Sequence, residues 1–134
     1  MNEKERLLKV IDEQPEAQQG GAVVTIDEFF TGNVDLGSIG CNLIDHPGLP
    51  FFRQRLKEME ARDDVAAVWF EIYESDELDW PFSENVIIQG TITEAEVRKL
   101  TEKLEPSEIW LREIKSPHSR DSRLVGSVWN LWWD

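Results

Sequence analysis

The sequence predicts a single α+β domain, with a mixed or mostly antiparallel sheet of four to five strands and two main helices packed on it. Three observations carry that prediction. Five runs are dense in β-branched and aromatic residues, and two longer stretches place apolar residues at helical spacing. The chain of 134 residues is the common size for one core. Surface scaling gives about 7,200 Å² exposed when folded against about 22,500 Å² unfolded, enough burial to need no disulfide or structural metal.

Residues 3–12 set Leu7, Leu8, Val10 and Ile11 among charges, as a short amphipathic helix does, and 12–21 read as a flexible connector. Residues 1–20 are thus expected to be loosely attached to a domain spanning 21–134. Ala22 to Ile26 is a β-prone run, followed by one helical turn over Asp27–Phe30. Residues 33–50 are rich in Gly, Asn, Asp and Pro, an irregular stretch long enough to suggest a functional loop. Pro50 pre-sets a helix start, after which Phe52, Leu56 and Met59 share one face. Val65 to Phe70 is apolar on both alternating faces, the pattern of a strand covered on both sides, and Glu71 interrupts it. A second strand is expected at Asn85–Gln89. Thr93 and Glu96 form a capping box that opens a helix carrying Val97, Leu100 and Leu104. Glu108–Ile114 alternates as a strand, and Val125, Trp129, Leu131 and Trp133 share one face of a last one, with Trp132 opposite.

The chain carries 27 acidic and 14 basic side chains, a net charge of −13. Polyanionic nucleic acid and anionic membrane surfaces repel such a surface, so neither is an expected partner. One cysteine forbids an intrachain disulfide. The N-terminus lacks the basic and apolar regions of a signal peptide, and no apolar run is long enough to span a bilayer, so the expected compartment is the cytoplasm.

No motif announces a chemistry. Cys41 and His46 are the candidate nucleophile and base, since a thiolate needs an imidazole within reach, but their loop does not require them to meet; the plainer reading of Cys41 is a small buried apolar residue. Two His and one Cys offer no metal-ligand spacing, and no phosphate-binding glycine loop or nucleophile elbow is present, so no metal or cofactor is expected. Residues 58–84 hold ten acids against Arg62. Such a run is either a solvated face or an electrostatic docking surface for a basic protein. The residues expected to bind a partner are Asp63, Asp64, Glu74, Asp76, Glu77 and Asp79, with Trp80, Phe82 and Trp132 as aromatic anchors; Trp80 and Phe82 also read as core residues beside a turn.

Gly37-Ser38-Ile39-Gly40-Cys41-Asn42-Leu43, His46-Pro47-Gly48-Leu49 and Trp80-Pro81-Phe82-Ser83 resemble a family of small uncharacterised bacterial proteins over about residues 22–110. That resemblance implies no activity and carries over no catalytic residue. In its acidity, size and tryptophan content the chain is also similar in style to immunity proteins of bacterial toxin systems. The expected function is a non-catalytic, acidic protein-binding domain that neutralises a basic partner such as a toxin. The alternatives are a small enzyme using Cys41 and His46, and a homodimeric structural or regulatory protein joined through its C-terminal strand.

Overall fold

The computed structural model describes residues 2–14, 21–74 and 80–133; the side chains of Tyr73 and Glu74 lie outside the description. Five strands, β1 (Ala22–Val24), β2 (Val65–Glu74), β3 (Phe82–Gly90), β4 (Glu108–Ile114) and β5 (Gly126–Trp132), form one sheet. Their order is β1-β2-β3-β5-β4, and every pairing is antiparallel. Four helices accompany it: α1 (Glu3–Asp12), α2 (Ile26–Phe30), α3 (Leu49–Glu60) and α4 (Glu94–Thr101). The architecture is α+β, and the exposed area of 7452 Å² agrees with the scaling for one domain.

The helices cover one face of the sheet. Phe52, Leu56 and Met59 of α3 and Val97 of α4 pack there against Val68, Phe70, Val86, Ile88 and Leu131. The rings of Phe29 and Phe70 stack at 4.2 Å. Two indoles are fixed by main-chain carbonyls: Trp133 Nε1 donates to Leu104 O and Trp129 Nε1 to Ile92 O, each at 2.8 Å. Gly90 is required where β3 ends, since a Cβ there would lie 2.2 Å from the Asp64 carbonyl, which receives Thr91 N and Ile92 N.

The opposite face has its own, smaller core of Val23, Trp69, Ile87, Ile114, Leu124 and Val128. Residues 115–125 cross it as a strap. This second cover explains why β2 is apolar on both faces without a helix on each side.

The N-terminal helix departs from the expected loose attachment. Leu7 belongs to the main core, and the Gln14 side-chain amide bonds both main-chain groups of Val23, accepting from N at 2.8 Å and donating to O at 2.8 Å. The connector expected beyond it falls on residues 15–20, outside the described residues. β5 lies between β3 and β4, so the sheet's edges are β1 and β4. A dimer joined edge to edge through the C-terminal strand is therefore excluded by topology.

Candidate functional site: one end of the sheet and its second face

Strand pairing decides which of the expected residues meet. Glu74 pairs with Phe82, and Trp132 pairs with both Asn85 and Glu108. Glu74, Phe82, Trp132 and Glu108 therefore share one end of the sheet. Asp63 and Asp64 precede β2 at the other end, about 33 Å away at the usual rise per strand residue. Among the described residues the acidic run is therefore not gathered in one place: Asp63 and Asp64 stand at the opposite end of β2 from Glu74, and Glu71 lies buried between them.

The individual placements follow from this. Asp63 is exposed. Asp64 is held by the Arg62 fork, with Nε to Oδ1 at 2.9 Å and Nη2 to Oδ2 at 3.1 Å, and this bonding keeps its carboxyl below the ordinary range. Arg62 also reaches Glu96 at 3.4 Å, so Asp64 belongs to a surface cluster in which its charge is already matched within the chain. Trp80 is 5% exposed and belongs to the main core, which removes it as a surface anchor. Its indole lines a cleft of about 310 Å³ beside Lys4, Gly32 and Asp35. Phe82 and Trp132 are half-buried. The backbone of Glu74 ends β2; Asp76, Glu77 and Asp79 lie outside the described residues, in the segment joining β2 to β3.

The Cys41 loop is ordered by its own polar groups. Asn33 Nδ2 donates to Ser38 Oγ at 2.9 Å, and Asp35 caps a short 3-10 turn through Gly37 N. His46 Nδ1 accepts from Gly48 N at 2.9 Å, so Nε2 carries the proton and donates to Ile39 O at 2.8 Å. Both ring nitrogens are thereby occupied by main chain, and the imidazole has no free lone pair for a thiol proton. Cys41 is exposed, contrary to the buried position expected of it. Among the described residues no three His, Cys, Asp or Glu side chains converge as metal ligands.

The second face holds a polar network that the sequence only hinted at. Glu71 is 2% exposed and pairs bidentately with Arg112 of β4, Nη1 to Oε1 at 2.9 Å and Nη2 to Oε2 at 3.1 Å. Arg112 also donates to Asn130 Oδ1 at 3.0 Å, and Asn130 Nδ2 donates to Asn85 Oδ1 at 2.8 Å. The network thus spans four strands. The polar residue in an apolar run was its sequence signal; the partner, 41 residues away, had none.

The strap is anchored beside this network. Arg120 donates to Glu28 at 2.6 Å and to Val23 O at 2.8 Å, and its guanidinium lies 5.6 Å from the Trp69 ring centroid. Burial acts to raise the Glu28 carboxyl, but bonds from Arg120 and Thr25 N outweigh it and hold it below its ordinary value. His118 is pushed below its ordinary 6.5, first by burial and also by Arg120, against the opposing pull of Glu71 and Asp121.

At the outer rim stand Trp110 and Leu111 of β4, 38% and 57% exposed, with the Trp110 and Trp132 rings edge-to-face at 6.4 Å. Trp110 was not among the anchors expected from sequence, although its strand was.

No helix is long and apolar enough to cross a membrane among the described residues. No solved structure matches the chain. A protein of Escherichia coli (strain K12), described as "Uncharacterized protein YfbO", is 32% identical over 89 residues, covering 66% of this chain and 64% of that protein. The chain thus aligns with less than two thirds of that relative's length. The model of the Uncharacterized protein YfbO family matches residues 2–125, and the chain belongs to that family.

Proposed function

We propose that the chain is a non-catalytic, cytoplasmic protein-binding domain for a basic protein, of which a toxin whose substrate is a polyanion is the most concrete form. The observation that carries this is the convergence of Glu74, Phe82, Trp132 and Glu108 at one sheet end, adjoining the 75–79 segment with three further acids. Half-buried aromatics at the same sheet end as Glu108, next in sequence to an acid-rich segment, combine an anchor with electrostatic steering.

The charge distribution supports the same conclusion. Among the described residues, nine basic side chains already lie in ion pairs. The excess negative charge is therefore left for the outside. The mechanism is occlusion: carboxylates occupy the cationic surface of the partner while Trp132 and Phe82 exclude water from the contact.

The test is a tagged pull-down from cell extract at low and high salt, repeated with Trp132→Ala and with the double change Asp76→Lys, Glu77→Lys. One basic protein captured at low salt, released at high salt and lost with both folded variants is the expected result. Capture that is indifferent to salt and to both variants refutes the proposal.

A further inference from the structure

The two edges of the sheet are treated differently by the sequence. At β1, both main-chain groups of Val23 are occupied by the Gln14 amide, and Arg120 adds a second donor to its carbonyl. That edge is blunted against strand addition. β4 is seven residues long and presents Trp110 on one face and Leu111 on the other, both exposed. Arg98 Nη2 reaches the Ile109 carbonyl at 3.4 Å, which identifies that carbonyl as one of the edge's outward groups. By the alternation of an antiparallel strand, the main-chain groups of Leu111 point outward as well.

We infer that β4 seats a second copy of this chain, pairing antiparallel with its own counterpart about a two-fold axis through Trp110. The residues of β4 select both occupant and register. With the axis at Trp110, that indole faces itself and Ile109 faces Leu111 of the second copy twice over, while Glu108 stands opposite Arg112, whose guanidinium stays turned inward on Glu71. Main-chain bonds then join Ile109 and Leu111 in both directions, displacing the long, exposed Arg98 contact from the Ile109 carbonyl. Moving the axis to Leu111 sets Ile109 against Glu113 and Glu108 against Ile114, apolar against charged on both sides of the centre. A strand that is self-complementary in one register fits a two-fold contact, which closes on itself. The protected β1 edge keeps the ten-stranded sheet so formed from growing into a filament.

Two chains of net charge −13 repel at long range, so this association strengthens as salt rises. A complex with a basic protein weakens under the same change, which separates a failure here from a failure of the proposed function.

The test is disulfide trapping in a Cys41→Ser background, because Cys41 is exposed and would cross-link by itself. At a two-fold axis through a non-hydrogen-bonded pair the Cα atoms lie about 4.5 Å apart, within disulfide range. Trp110→Cys is expected to give a covalent dimer under mild oxidation, at least tenfold faster than Leu111→Cys. Sedimentation equilibrium at 0.5 M salt is expected to show the Cys41→Ser protein associating with rising concentration, and Leu111→Asp, which sets a charge against Ile109 of the second copy, weakening that association at least tenfold. A monomer at every concentration, or equal trapping at the two positions, overturns the inference and leaves β4 to a strand from another protein.

Discussion

At the scale of residues, the most consequential pair is Glu71 with Arg112. A carboxylate taken out of water recovers its desolvation cost only through close, well-directed donors, and Arg112 supplies two while Asn130 and Asn85 extend the network. Removing one partner is therefore worse than removing both. Arg112→Ala is expected to lower unfolding free energy by about 3–5 kcal/mol, the usual result of stranding a buried charge. Glu71→Leu combined with Arg112→Met is expected to recover at least half of that loss, as measured by urea denaturation. Equal losses in the single and double variants would show that packing, and not the stranded charge, sets the cost. Glu71 is also where the sequence was most informative and least sufficient. Its place in an apolar run marked it as unusual, but a guanidinium 41 positions later is a long-range fact with no local signature. Trp80 was ambiguous for the converse reason: a tryptophan beside acids fits a surface anchor and a core residue at a turn alike, and packing decides for the core.

At the scale of elements, the segments governed by local rules were legible. The N-cap at Thr93, the alternation of β4 and the apolar face of α3 each rest on contacts within a few residues, and each element stands where periodicity put it; of the capping box only the Thr93 half forms, since Glu96 turns to Arg62. What was illegible depends on distant partners: the docking of α1 through Gln14, and the use of 115–125 as a strap over the second face. That strap has a pH response whose sign is fixed by its anchors. His118 and Glu28 both have folded values below their ordinary ones. The unfolded chain then binds these protons more readily, so stability is complete above the unfolded value and is lost as pH falls through the folded one. For His118 the loss begins below about pH 6.5, and for Glu28 it follows at lower pH, in the carboxylate range. His118 is faced by Glu71, Arg120 and Asp121, and their opposing pulls leave burial as the leading cause. His118→Asn is expected to flatten the fall in unfolding midpoint between pH 7 and pH 5.5, leaving the steeper fall at lower pH in place. An unchanged slope in that upper window would assign the pH response to other groups.

At the scale of the whole molecule, attraction and repulsion differ in range. The described ion pairs are short, between 2.6 and 3.9 Å. Most are exposed contacts worth about 0–1 kcal/mol each. Screening acts weakly over such distances, since the Debye length is about 30 Å at 0.01 M salt and still about 8 Å at 0.15 M. The excess acids are spread more widely: the exposed Asp63 precedes β2 at one end of the sheet, and Glu74 closes that strand at the other. Their mutual repulsion acts across separations that low salt leaves unscreened and physiological salt removes. Raising sodium chloride from 0.01 to 0.15 M should thus relieve more repulsion than it costs in ion pairing. The urea midpoint, measured with an uncharged denaturant at a protein concentration low enough to keep the chain monomeric, is expected to rise over that interval and to level off above it. A midpoint that falls instead would mean that the paired cations, and not the surplus carboxylates, dominate the electrostatic free energy. It would also remove the physical basis for expecting the surplus to act on a partner.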